Sequence, residues 1–241
     1  MNRIFKIVSV FLIAGLILGS CEDNWLDVNK DPENPAEAPA ELIFPASVAE
    51  IAGIVGGRYT LVGGIFSQWW TQANSANQYK QFASFNLTRD AFDNEFQQLY
   101  AGALNDLKEV KTQAREDENW SFYLMATVME AYTYQILVDT YDQIPFREAL
   151  KGASNVNPTY DDGQLVYDSL ITRLDRALSK PLNASSSVNP GDKDFIFNGD
   201  MDKWVRFANT LKLKIFLRQR YARPNVAEQG IQELYDEGAQ F

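Results

Sequence analysis

The sequence predicts an all-α protein built from paired antiparallel helices, and three observations lead to this prediction. Four long segments repeat apolar residues at intervals of three, four and seven, which is the period of a helix buried on one face. Polar or proline-containing breaks separate these segments, and no segment shows a comparable strand pattern. Hydrophobic residues make up 46% of the chain, which is enough to form a sizeable core.

Residues 1–20 are predicted to be a cleaved signal peptide. The basic residues Arg3 and Lys6 precede a 12-residue apolar run from Ile7 to Leu18. A transmembrane helix needs about 20 apolar residues, so this run fits an export signal better than an anchor. Two small residues then precede Cys21, as in a bacterial lipobox, and we expect Cys21 to be lipidated. The alternatives are an ordinary secretory signal with a chance cysteine, or a buried helix.

Residues 21–40 are predicted to be a lipidated, extended tether. Pro32, Pro35 and Pro39 stand among acidic and asparagine residues, and this composition does not propagate a helix. Glu22 and Asp23 directly follow the cysteine and resemble the surface-export signal of Bacteroidota lipoproteins. This resemblance favours display on the cell surface over a plain solvated linker.

Residues 41–241 are predicted to form the helical domain. The first helix is expected from Glu41 to Ile54, followed by an interruption at the glycine pairs 56–57 and 63–64. A second helical piece is expected to end near Ala73, before a loop at 74–77. The expected inward positions of the first helix are Leu42, Val48, Ile51 and Ile54.

The remaining helices follow from clearer patterns. We expect a helix over 92–111 capped by Asp90, a second after the polar break at 115–119, and antiparallel packing of the two. Residues 139–145 should end the second helix. Further helices are expected over 164–178 and from Met201, capped by Asp200, to about residue 221, with a loop at 179–199 that contains a short extended piece at 195–197. The pairs are loosely similar to tetratricopeptide units, although no clean repeat is visible.

Composition excludes several kinds of site. The chain has no histidine and one cysteine, so Ser-His-Asp and Cys-His catalysis, an intramolecular disulfide and a thiolate metal cluster are all excluded within it. Its net charge of −10 opposes binding to nucleic acid and electrostatic adhesion to a membrane. Any enzyme built from this chain would have to use carboxylates, lysine, tyrosine or a borrowed metal. We assign no catalytic residues, no metal and no cofactor, and we expect membrane attachment through the lipid alone.

Three segments and the tether resemble one family. They are 130–150 (EAYTYQILVDTYDQIPFREAL), 158–178 (PTYDDGQLVYDSLITRLDRAL), 195–218 (FIFNGDMDKWVRFANTLKLKIFLR) and 25–32 (WLDVNKDP). Together these resemble the SusD/RagB family, in its SusD-like branch. The resemblance implies a tetratricopeptide-like outer-membrane lipoprotein that captures glycans or peptides, is not an enzyme, and caps a SusC-like TonB-dependent transporter. Because family members are about twice as long, we expect this chain to be an N-terminal portion.

One region has the composition of a carbohydrate site. Sugar-binding surfaces combine exposed aromatic rings with amide hydrogen-bonding groups. Adjacent tryptophans on a helix point about 100° apart, so both cannot face one core. The alternative is that both are structural. The candidate ligand residues are Trp69, Trp70, Gln72, Asn74, Asn77 and Tyr79.

Two other functions remain open from the sequence. A lipid-anchored glycoside hydrolase would need two carboxyl groups about 5–10 Å apart across a cleft, and no local motif singles out such a pair. A helical-repeat scaffold would instead need a broad apolar groove for a protein partner. The resemblance favours the nutrient-binding function over both.

Overall fold

The computed structural model describes residues 38–241, and the signal peptide, Cys21 and tether residues 21–37 lie outside this range. The fold is all-α, as predicted, with one two-residue antiparallel strand pair, Ile144–Pro145 (β1) with Tyr160–Asp161 (β2), in this range. The α-helices of the described part are Ala40–Ile54 (α1), Thr60–Phe66 (α2), Lys80–Ala83 (α3), Asp93–Gln97 (α4), Asn105–Glu116 (α5), Trp120–Tyr141 (α6), Gly163–Leu178 (α7), Met201–Arg218 (α8) and Pro224–Asp236 (α9).

The first helix continues through its glycines, so the expected interruption was wrong. A π-helical turn at Val55–Tyr59 joins α1 to α2, and the junction residues Val55 and Thr60 keep right-handed helical dihedrals. In this turn the backbone hydrogen bonds span five residues in place of four, so the helix continues without a break. Ala40–Phe66 is thereby the one described helix that is long and apolar enough to span a membrane by composition. Part of that apolar surface packs into the protein core.

The inward face of α1 differs from the predicted one at a single position. Val48, Ile51 and Ile54 are buried as expected, whereas Leu42 is 58% exposed and Phe44 is fully buried. Phe44 contacts the rings of Phe122 and Trp204 edge to face. The helix therefore meets the core at residue 44 and leaves residue 42 outside.

A second π-helical turn, Gln98–Leu104, makes α4 and α5 continuous. Leu99, Ala103, Leu107 and Val110 are fully buried, so one face of this long helix lies in the core. The expected cap at Asp90 was wrong, because α4 begins at Asp93 and its first turn receives no side-chain cap.

Helix α6 is the centre of the fold and packs against α5, α7 and α8. The carboxamide of Asn119 caps its first turn by accepting a hydrogen bond from the Phe122 amide at 3.5 Å. The helix is buried on nearly all sides, including the polar residues Glu130 and Gln135. It ends at Tyr141, where Asp142 takes a positive φ of 65°.

The C-terminal part confirms one expectation and departs from the prediction at three points. Asp200 caps α8 by accepting from the Lys203 amide at 3.2 Å, as predicted. Residues 195–197 form turns and not the expected extended piece. Helix α8 ends at Arg218, a little before the expected end. The sequence analysis missed helix α9, two of whose buried positions are the small residues Ala227 and Gly230, and Gly230 packs directly against the Phe216 ring.

Two hydrophobic clusters fill the described part. The larger joins α1, α5, α6, α7 and α8, while the smaller centres on Val62, Ile65 and Phe82. Phe66, Tyr79 and Phe92 border the smaller cluster. This small aromatic cluster supports the segment in which the candidate ligand residues lie.

Candidate ligand-binding cleft

The two adjacent tryptophans lie just beyond the end of α2. The expected helix end near Ala73 was wrong, because the helix ends at Phe66 and Gln68 takes a positive φ of 61°. The amides of Trp69 and Trp70 both donate to the Gly64 carbonyl oxygen at 3.0 Å. This turn holds both indole side chains on the surface.

Trp70 rests on a glycine that has no room for a larger residue. A methyl group on Gly64 would come within 2.4 Å of Cε3 of the Trp70 ring. Trp70 remains 52% exposed, whereas Trp69 is 87% exposed. One indole is therefore held against the helix end, and its neighbour projects into solvent.

The loop at 72–79 is closed by one amide side chain. Gln72 Nε2 donates to the Ala76 carbonyl oxygen at 2.8 Å, and its Oε1 accepts from the Tyr79 amide at 2.5 Å. Gln72 thus holds the loop in shape. Its predicted ligand contact stays a prediction, but its main contacts are internal.

Tyr79 is half-buried, and its ring lies against that of Phe82 at 6.4 Å between centroids. Its hydroxyl accepts from Gln78 Nε2 at 2.8 Å. Asn74 and Asn77 are exposed, and neither carboxamide has a hydrogen-bond partner within residues 38–241. Their amides are therefore available to a ligand.

An open cleft of about 440 Å³ lies beside Trp70 and Tyr79. Its opposite wall is the π-helical turn and the start of α2: Gly56, Gly57, Arg58, Thr60 and Leu61. The structure thus brings two of the six predicted ligand residues into one cleft. Trp69, Asn74 and Asn77 are near it in sequence but do not line it.

Arg58 supplies the charge at this cleft. Its guanidinium lies 4.6 Å from the centre of the Phe82 ring, and Nε is 3.6 Å from a Glu95 carboxylate oxygen. No carboxylate lines the cleft among the described residues. The cleft therefore offers ring faces and a cation, which can bind polar ligands, and the described residues place no glycosidase-like carboxylate pair along it.

The wall formed by residues 56–61 was missed at the sequence level. The paired glycines had indicated a break in the helix, and a break would not form a wall. The available signal was the absence of bulky side chains at 56–57, which leaves space for a ligand beside the backbone.

A second cavity of about 270 Å³ also borders this turn, and Thr60 lines both. Asp139 accepts from the Tyr167 hydroxyl and from Gln135 Nε2, and it forms an ion pair with Arg218. Burial, followed by the hydrogen bond to Asp139, raises the pKa of Tyr167, so its hydroxyl stays protonated. This network ties α6, α7 and α8 together beneath the cavity.

Comparison with known proteins identifies the fold and the family. A SusD-like family model described as "Starch-binding associating with outer membrane" matches residues 34–240. A solved structure of a chitin-binding protein is 26% identical, with a TM-score of 0.69 over 85% of this chain and 44% of that one. A search of curated proteins found no match.

Two further solved structures share the fold. One is a SusD-like protein from Bacteroides thetaiotaomicron, 22% identical, with a TM-score of 0.63 over 81% of this chain and 41% of that one. The other is a chitin-binding SusD homologue from Flavobacterium johnsoniae, 19% identical, with a TM-score of 0.58 over 78% and 41%. The chain spans less than half the length of these structures. Because the family model covers most of the sequence, the chain belongs to the SusD-like family.

Proposed function

We propose that the protein is a lipid-anchored outer-membrane protein that captures glycans at the cell surface and passes them to a SusC-like TonB-dependent transporter. The family description supports both a carbohydrate ligand and the outer membrane. The similarity to a chitin-binding protein supports the same class of ligand. The transporter partner follows from the family resemblance.

The observation that carries the proposal is the exposed pair of adjacent tryptophans, of which Trp70 lines the cleft. Tryptophan is highly buried on average, yet Trp69 is 87% exposed and Trp70 is 52% exposed. A sugar ring presents a flat face of C–H groups that can stack on such an indole, and its hydroxyl groups can bind the free amides of Asn74 and Asn77. The pair therefore has the chemistry of a sugar-binding platform.

The anchor rests on the sequence. Cys21 follows an apolar run and two small residues, and lipidation there would hold the body at a membrane without a spanning helix. Glu22 and Asp23 support export to the outer surface.

Calorimetric titration with chitin and starch oligosaccharides, and with peptides of similar size, tests the ligand class. We expect an oligosaccharide to bind, and Trp70→Ala to weaken its binding about tenfold through loss of stacking. Trp69→Ala should also weaken binding. Tyr221→Ala is the matched control, because Tyr221 is 83% exposed and lies after the end of α8. Equal affinities for all four proteins would contradict the proposed platform.

Recovery of the sugar tests the absence of catalysis. After prolonged incubation we expect the oligosaccharide to be recovered at its original length by chromatography. Shorter products that form with the native protein, and do not form with a matched preparation of denatured protein, would instead support the lipid-anchored hydrolase.

A further inference from the structure

A groove rich in cations crosses the surface between α5, α6 and α7. We call it the basic groove and define it by Lys108, Lys111, Arg115, Tyr123, Arg173 and Arg176. Its volume is about 350 Å³. The protein has a net charge of −10, so a local concentration of cations is unexpected.

Helical spacing brings these cations together. Residues 108, 111 and 115 lie at intervals of three and four on α5 and therefore share one face, as do residues 173 and 176 on α7. Both helices pack on α6, which supplies Tyr123 to the groove. Five side-chain cations from two helices thus face one space.

One buried carboxylate neutralises part of this charge. Glu130 of α6 is 5% exposed and lies 2.6 Å from Lys111 Nζ and 3.1 Å from an Arg173 guanidinium nitrogen. Burial raises the pKa of Glu130, but the two cations together lower it further, so its net pKa lies below the usual range. One carboxylate is therefore shared between two cations, and an excess of positive charge remains.

The other cations of the groove have no anionic partner within residues 38–241. Lys108 Nζ donates to the Leu150 carbonyl oxygen at 2.5 Å, which is a neutral group. Arg115 and Arg176 are exposed, and no ion pair involves either within this range. These guanidinium groups are free to bind an oxyanion in bidentate fashion.

The carboxylates of α7 are engaged elsewhere. Asp168 pairs with Arg223 at 2.7 Å, and Asp175 pairs with Lys212 at 2.5 Å. Both partners belong to the C-terminal helical pair or its connection. The acidic residues of α7 therefore do not neutralise the cations of the basic groove.

An aromatic surface adjoins the cations. The Tyr123 ring lies edge to face with Trp120 at 5.7 Å between centroids. Lys180 Nζ lies 4.5 Å from the centre of the Trp120 ring. An aromatic ring next to free guanidinium groups suits a ligand that has both a flat apolar face and a negative group.

We propose that the basic groove is a second binding site that takes an acidic saccharide through its carboxylate or sulfate groups. Arg115 and Arg176 bind the oxyanion, and Tyr123 contacts the sugar ring. The preference for an anion stands on the charges of the groove, while the choice of a saccharide rests on the proposed function.

The other explanation for two of these cations is helix stability. Arg115 and Arg176 lie in the last turns of α5 and α7, where a cation interacts favourably with the helix dipole. That explanation does not account for Lys108, Lys111 and Arg173 facing the same space. It predicts a change in stability on substitution and no change in ligand binding.

The test uses a heparin-derived tetrasaccharide, which has both sulfate and carboxylate groups, and chitotetraose as the neutral comparison. We expect the acidic sugar to bind, with an affinity that falls between about 0.1 M and 1 M salt because added ions screen the charges. The variant Arg115→Gln/Arg176→Gln should weaken this binding at least about tenfold, the equivalent of about 1.4 kcal/mol. Binding of inorganic sulfate should weaken in parallel.

The matched control is Arg206→Gln/Arg220→Gln, which removes two exposed arginines of or near α8 and leaves the net charge equal to that of the test variant. An equal loss of affinity for the acidic sugar in both variants would show that only the overall charge matters, and would overturn the proposal. Failure of the wild-type protein to bind the acidic sugar at low salt would also overturn it. Chitotetraose binding separates this site from the tryptophan cleft. Its loss in Trp70→Ala alone would support the proposed function whatever the groove does.

Discussion

At the scale of single residues, Asp194 organises the turn that precedes α8. Its buried carboxylate accepts from the amides of Ile196 and Gly199, at 2.9 Å and 3.0 Å. It also accepts from the indole Nε1 of Trp204 at 2.7 Å. Trp204 is fully buried and touches the rings of Phe44 and Phe197. Trp204 is therefore a core residue that fixes the turn before α8.

Trp204→Ala should lower the free energy of unfolding by about 3–5 kcal/mol, because it leaves a cavity and removes one hydrogen bond from the buried Asp194 carboxylate. Chemical denaturation followed by far-ultraviolet circular dichroism measures the change. Trp204→Phe is the control and should cost less, since it keeps a ring in the core. A loss below about 1 kcal/mol for the alanine variant would contradict the assigned burial.

Glu130→Gln should lower the free energy of unfolding by about 3–5 kcal/mol, because Lys111 and Arg173 would lose their shared anion beside a buried amide. The effect depends on pH with a definite sign. The pKa of Glu130 is lower in the folded than in the unfolded protein, so its contribution is present above about pH 4.5 and is lost as the pH falls through the folded pKa. Denaturation curves should therefore show a smaller difference in stability between the wild type and Glu130→Gln at acidic pH than at neutral pH. A constant difference would contradict this pairing.

At the scale of elements, the sequence predicted helices best where one face is buried. The positions at 166, 170, 174 and 177 of α7 repeat at intervals of three and four, and all are fully buried. The sequence predicted the ends of the helices poorly. Helix α2 stops at Phe66 because Gln68 takes a left-handed conformation, and glutamine does not signal such a conformation in advance. The π-helical turns were equally invisible, since they change hydrogen bonding and leave the apolar pattern in place.

The candidate site was likewise predicted only in part from the sequence. Local composition placed aromatic and amide side chains in one segment, and Trp70 and Tyr79 do line a common cleft. The wall across from them comes from residues 56–61, and its position depends on how α2 continues from α1. Such tertiary proximity has no local signal. The internal role of Gln72 likewise depends on the final loop geometry.

Gly64→Ala should displace Trp70, because the new methyl group would lie 2.4 Å from its ring. We expect a change in tryptophan fluorescence and weaker oligosaccharide binding, with little loss of helix content. Gly63→Ala is the matched control, since nothing lies within 4 Å of its added methyl group. Similar binding by both variants would show that the position of Trp70 does not matter for the ligand.

At the scale of the whole molecule, the proposed anchor and the helical body have separate roles. Cys21→Ala should move the protein from the membrane fraction to the soluble fraction, because the attached acyl chains would be lost. Cell fractionation followed by immunoblotting measures the distribution, and Ser20→Ala, which keeps the cysteine and a small residue before it, is the control. Retention of the Cys21 variant in the membrane would contradict attachment through the lipid.

The glycines of the first long helix have a consequence for local motion. Gly53, Gly56, Gly57 and Gly63 are exposed, and a methyl group on any of them would meet nothing within 4 Å. Packing therefore does not require glycine there, although each glycine weakens a helix by about 0.5–1 kcal/mol relative to alanine. This stretch should unfold transiently more often than α6, which is buried on nearly all sides.

Amide hydrogen–deuterium exchange followed by mass spectrometry can detect this difference. Peptides covering 53–64 should exchange faster than those covering 124–138, and a saturating oligosaccharide should slow the first set selectively. Equal protection of both sets in the free protein would contradict the idea. A binding wall that opens and recloses on its own could accommodate sugars of different linkage, which a rigid wall would exclude.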